Sequence, residues 1–231
     1  MRRLLARFGL VAALATAVTL GSAVSATAEP FTIEAVLTGD FRASNPDNVV
    51  LDVTIVGDTT SNVTHWTVDL NSPLHPNAVL GTFAFNIDGV SFGDVSFSNF
   101  NPAAWSFSIA PGTNVPGSGG ADFLFESNDP AGSSNNVTNS QLLTFDATLT
   151  SGNWNPTMFT DAPLATGGGI PAPGAQLGAH VQSLSTAGCS GCSDSGFASG
   201  NYASVPEPSS LSLLVLGAAF LGSKVRSRRK L

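Results

Sequence analysis

Few side chains in this chain are suited to chemistry. Its only two cysteines, Cys189 and Cys192, stand in the run GCSGCS. A C-x-x-C pair serves as a disulfide, as a redox centre or as half of a zinc site. A redox pair sits at a helix N-terminus, which lowers the thiolate pKa, and the Ser and Gly around these cysteines carry no helical pattern. Zinc needs about four ligands, and no second Cys or His pair stands at ligand spacing. In an oxidising compartment the favoured reading is a Cys189–Cys192 disulfide that clips a tight loop.

The histidines are His65, His75 and His180. His65 alternates with Trp66 and so points outward with Thr67 and Asp69; His180 faces away from Ala179 and Val181; His75 lies in a proline-flanked turn. All three read as surface or turn histidines, because no G-x-S-x-G elbow or H-E-x-x-H helix accompanies them. Glycoside hydrolysis needs two carboxylates across a cleft. Past Glu29 the only body glutamates are Glu34 and Glu126, both in expected strands. Asp47, Asp88, Asp94, Asp129 and Asp161 are scattered through turns without a calcium-loop pattern, as solvated turn aspartates are. No catalytic residue, metal ligand or cofactor is assigned. Sugar binding is a fairer alternative than catalysis, since sugar rings stack on exposed Trp or Tyr. Trp66 and Trp105 fall on core-facing positions, whereas Trp154, in the polar run SGNWNP, is the expected exposed ring and possible glycan contact.

The elements that would carry these residues are strands. Leu51, Val53 and Ile55 alternate with polar residues, as do Trp66, Val68 and Leu70, then Phe83, Phe85 and Ile87, then Trp105, Phe107 and Ile109, then Leu143, Phe145, Ala147 and Leu149. Period two with one apolar face is the half-buried strand pattern. Turn-rich runs such as SNPDN, NSPLHPN and PGTNVPGSGG separate them. Asp88-Gly89 is a two-residue hairpin signal between VLGTFAFNI and VSFGDVSF. The expectation is an all-β antiparallel sandwich of about eight to ten strands, jelly-roll or immunoglobulin-like in order.

The two ends have their own chemistry. Arg2, Arg3 and Arg7 precede the apolar run LVAALATAVTL, and Ala26-Thr27-Ala28 satisfies the small-residue rule for signal peptidase. Residues 1–28 are thus expected to be a cleaved secretory signal helix, with 29–204 forming the body. At the other end Val205-Pro206-Glu207-Pro208 leads into the uncharged run Ser209 to Ser223 and then Lys224, Arg226, Arg228, Arg229 and Lys230. As a helix the uncharged run rises roughly 22 Å, short of a roughly 30 Å hydrocarbon core, so it is a marginal membrane anchor. The basic cluster would hold the terminus on the cytoplasmic side.

Removing both ends leaves a one-sided body. Of nine Lys and Arg, three lie in the signal and five in the tail, so Arg42 alone stands against fifteen acids, a formal charge of −14. Such a surface repels phosphate backbones, so no nucleic acid is expected as a partner. With no Lys in the body, Schiff-base chemistry is excluded there.

The V-P-E-P motif, short apolar span and terminal basic cluster, over residues 205–231, closely resemble the PEP-CTERM sorting signal. A tail of this kind is also labelled the ice-binding protein C-terminal region, which describes the tail and implies no ice binding. The resemblance implies an inner-membrane-anchored precursor in a Gram-negative bacterium that makes exopolysaccharide. An exosortase would cut near the Pro-Glu-Pro and pass the protein to the cell surface or extracellular matrix. Pro206 and Pro208 suit that role, because they keep the segment extended as a protease groove requires. Many such proteins of unassigned function end their sandwich with an Ala-His-Val-Gln-type strand and then a Ser-Gly-Phe segment. Ala179 to Gln182 and Ser195 to Phe197 are similar. The expected function is a non-enzymatic structural or adhesive matrix protein, with a carbohydrate-binding module as the alternative.

Overall fold

The computed structural model describes residues 28–39, 49–108, 120–128, 130, 132, 135–166, 174–185 and 193–205. Eleven strands are formed among them: β1 (Pro30–Thr38), β2 (Val50–Asp58), β3 (Val63–Leu70), β4 (Val79–Phe85), β5 (Val95–Asn101), β6 (Ser106–Ser108), β7 (Phe125–Asn128), β8 (Leu143–Leu149), β9 (Leu177–Ser185), β10 (Ser193–Gly200) and β11 (Ala203–Val205). A single helical turn, α1, spans Thr157–Thr160. No helix among the described residues is long and apolar enough to cross a membrane, and the expected signal and C-terminal helices lie outside those residues.

All strand pairs are antiparallel, in the order β5-β8-β3-β2-β1-β10-β9-β4-β7-β6, with β11 added beside β1. In place of the two separate sheets expected, the ladder is one path. Its halves meet between β1 and β10 at the register pair Thr38 and Ser199. The far ends of the path then approach each other, with the rings of Phe97 (β5) and Phe107 (β6) 4.6 Å apart. The sheet is nearly closed around a single aromatic-rich core. The alternating residues line that core: Ile33, Leu37, Leu51, Ile55, Val68 and Val181 are fully buried. Each such side chain contributes roughly 1.5–3 kcal/mol through apolar burial. Trp66, from β3, packs across the interior onto Phe85 of β4 at 4.5 Å and beside its register partner Phe145 of β8 at 5.3 Å. Offset and tilted ring pairs add about 0.5–1.5 kcal/mol each.

Two expectations fail for physical reasons. Asp88-Gly89 does turn, with Gly89 at φ 71°, but it does not close a hairpin. A 3-10 turn follows at Phe92–Asp94, where Ser91 and Asp94 cap each other. The chain is thereby carried to β8, with which β5 pairs, while β4 pairs with β9 and β7. The second miss is β10. Its sequence SDSGFASG has no apolar alternation, yet it pairs along β9 because β9 offers an open edge. A strand is here specified by its neighbour's backbone more than by its own side chains.

Candidate functional site

The first described residues and the last ones meet on one strand edge. β11 pairs with β1 in the register Thr32 to Val205, Ile33 to Ser204 and Glu34 to Ala203. Antiparallel pairing points β11 toward the start of β1, so the chain at Glu29 and the chain at Val205 reach the same pole of the body. Glu29 is held there by the turn after β2: its carbonyl accepts from the Thr59 amide at 3.0 Å, and its own amide donates to Thr59 Oγ1 at 3.3 Å. Between the two ends lies a hollow of about 350 Å³ lined by Glu29, Phe31, Thr32, Thr59, Asn155 and Val205. The first strand therefore begins within two residues of the expected cut after Ala28, and the last one includes Val205, which the sequence assigns to the tail. Ala26, the rest of the V-P-E-P motif (Pro206, Glu207 and Pro208) and the basic residues Lys224, Arg226, Arg228, Arg229 and Lys230 lie outside the described residues, as do Cys189 and Cys192. The cysteines fall in the chain between β9 and β10, with two strands after them.

Upstream of β11 the chain is pegged by Tyr202. Its amide donates to Gln176 Oε1 at 2.9 Å and its hydroxyl to the Asn86 carbonyl at 3.1 Å. Its ring meets Phe159 at 5.6 Å and Trp66 at 6.4 Å. Burial raises the Tyr202 phenol pKa well above its ordinary value. β11 itself buries no side chain.

Trp154 is not an exposed platform. It is 1% exposed, its ring stacks on Phe159 at 5.4 Å, and its indole N–H donates to the Asn62 carbonyl at 2.8 Å. The polar residues around it belong to a loop that folds back over the end of the sheet, so local polarity misled the sequence reading. His75 stands in its turn, as expected, with its amide on the Ser72 carbonyl at 2.9 Å, and it is buried there, 1% exposed. Its Nδ1 accepts from the Ser185 amide at 3.2 Å and its carbonyl accepts from Asn139 Nδ2 at 2.9 Å, tying three segments together. Since Nδ1 accepts, the ring proton sits on Nε2, which is buried with no partner among the described residues.

His65 does stand on the outer face. It is hydrogen-bonded through Nδ1 to Asp146, whose other oxygen accepts from Asn99 Nδ2 at 2.6 Å. The pair sits on open sheet, with Val56 as the register neighbour of His65 on β2. Among the described residues no three of His, Cys, Asp and Glu converge as a metal site would require.

A second hollow, about 350 Å³, lies on the outer face of β9 and β10, and the described residues that line it are polar: His180, Gln182, Ser183, Asp194 and Ser195. Irregular backbone shapes it. β4 slips register between Leu80 and Thr82, β10 slips between Asp194 and Gly196, and Ser183 adopts φ 57°. A Cβ on Gly81 would stand 2.5 Å from Gln182 Nε2 and 3.1 Å from His180 Nδ1, so the missing side chain makes room for both. Ala179 to Gln182 and Ser195 to Phe197 are neighbours here, with Phe197 opposite His180.

Comparison with known proteins bears on the tail. Residues 204–230 match the PEP-CTERM protein-sorting motif. The chain carries a PEP-CTERM sorting signal. No curated protein and no solved structure matches the chain. The PEP-CTERM match implies an exported protein that is held at the membrane and then processed by an exosortase. It also begins inside β11, at Ser204, so fold and sorting signal share two residues. Sequence reasoning missed this overlap because a three-residue strand without apolar alternation leaves no periodic trace.

Proposed function

We propose that the mature protein is a non-enzymatic structural or adhesive component of the cell surface or exopolysaccharide matrix of a Gram-negative bacterium, delivered there by signal peptidase and exosortase. The observation that carries this reading is the β1–β11 pairing, which brings the body's two ends, at Glu29 and Val205, to one pole. A precursor held in the membrane at both ends would stand with that pole toward the inner membrane. It would leave with the rest of its surface unaltered. The body's formal charge of −14 keeps it soluble and spaced from anionic polymers. Intact-mass measurement of native material tests the route: residues 1–28 and the basic tail should be missing. A secreted species that retains Arg228 and Lys230 would remove the exosortase from the account.

A carbohydrate-binding role is the second reading, and its support now lies in the β9–β10 groove and not at Trp154. Gln and Ser both donate and accept hydrogen bonds, and Asp accepts, which suits vicinal hydroxyls. With no Lys or Arg among the described residues at the groove, the glycan suited to it is neutral.

A further inference from the structure

We infer that β11 is a detachable strap that must peel from β1, up to Tyr202, before the exosortase can cut. The inference rests on the processing route proposed above. A protease cleft takes its substrate as an extended strand and encloses it from both sides, reading its backbone groups. Ser204 and Val205 belong to the sorting motif, yet their segment is already an extended strand committed to β1 opposite Ile33 and Thr32. No residue intervenes between Val205 and Pro206 to act as a spacer. The residues just before the Pro-Glu-Pro cannot lie in the sheet and in a cleft together.

The fold limits and eases that release. β11 pairs with β1 over three residues and buries no side chain, so it belongs to the least stable, locally opening part of the molecule. Peeling stops at Tyr202, whose ring, amide and hydroxyl are all engaged in the interior. Freed from Ala203 through Pro208, the chain reaches roughly 20 Å beyond the body, enough to thread a cleft without unfolding the sheet. The hinge therefore lies between Tyr202 and Ala203.

The test uses the full-length precursor and solubilised membranes that contain the exosortase, with processing followed by mass. Glu34 and Ala203 are exposed register partners on one face, so Glu34→Cys with Ala203→Cys, in a Cys189→Ser, Cys192→Ser background, can lock the strap with a disulfide. The oxidised protein should be processed at least about tenfold more slowly than the same protein after reduction, a comparison in which folding is held constant. Inserting Gly-Ser-Gly-Ser between Val205 and Pro206 should restore normal processing to the locked protein, because the cleft then has its own extended residues. Equal rates for locked and reduced protein would overturn the strap, as would a locked protein that the insertion fails to rescue. If the unlocked chain is not cut, or Glu207→Ala is cut as fast as the unlocked chain, the sorting route itself fails and takes the strap with it.

Discussion

The two outer faces of the sheet are built differently. On the face of β1, β2, β3 and β8 the strands pair without a register shift, and the first irregularity comes at the margin, in β5, where Asn99 takes φ 56°. One row crosses it as Asn101, Thr144, Thr67, Thr54 and Glu34. The face of β4, β9 and β10 is broken by two slips of register and by the left-handed Ser183. It also carries a small apolar cluster of its own, with Ala84, Ala121, Phe123, Ala165 and Phe197 buried outside the main core. Regular pairing yields a level polar surface, whereas bulges re-aim side chains and open hollows. The groove lies on the irregular face for that reason, and on the regular face polar side chains pair in place, as His65 does with Asp146 and Asn71 with Asp52.

The largest expected contrast between the faces comes from Gly178. A Cβ there would stand 2.7 Å from Phe197 Cζ and 2.8 Å from Phe123 Cζ, beneath the outer cluster. Gly178→Val should therefore destabilise the domain by about 1–3 kcal/mol in denaturant unfolding. Thr67→Val, on the level face, should stay within about 0.5 kcal/mol. Equal effects would mean that the two faces are packed alike and would remove the contrast.

A middling effect is expected at the peg between the faces. Tyr202→Phe removes the hydroxyl that donates to Asn86 and should cost about 1 kcal/mol. Because the folded phenol pKa is raised, the stability linked to it is complete below about pH 10 and is lost as pH rises further. Tyr202 is the sole tyrosine, so phenolate absorbance reports it alone. That absorbance should appear together with loss of near-ultraviolet circular dichroism. Titration well before unfolding would show that the peg is open to water.

The smallest change in stability is expected at the groove. Gln182→Ala removes an exposed side chain and should stay within about 0.5 kcal/mol. Under the carbohydrate reading it should nonetheless abolish binding of a neutral glucan oligosaccharide measured by calorimetry. Absence of binding by the unaltered protein would retire that reading and leave the groove as a by-product of the bulges.

Much of the fold was legible in the chain. Where alternation was strong, as at Leu51 to Ile55, Trp66 to Leu70 and Leu143 to Leu149, the strands stand and the apolar positions point inward. The structure departs from the sequence expectation where a residue's surroundings come from elsewhere in the chain. Trp154 and His75 sit in polar or proline-rich runs, yet each is covered by segments distant in sequence, at Asn62 and at Ser185. Of the candidate sites, the sorting signal at the C-terminal end was readable, and the groove was not, since Gly81, His180 and Asp194 meet only through the pairing of three strands.

The sequence alone determined the class of fold, the anionic body and the sorting signal, because each rests on period, composition or a contiguous motif. Tertiary structure decided which strands are neighbours, which aromatic rings are hidden, and that the sorting signal begins within the sheet. The physical reason is one of range. Alternation and capping act through adjacent residues, whereas pairing and burial depend on partners that only the closed fold brings to β11.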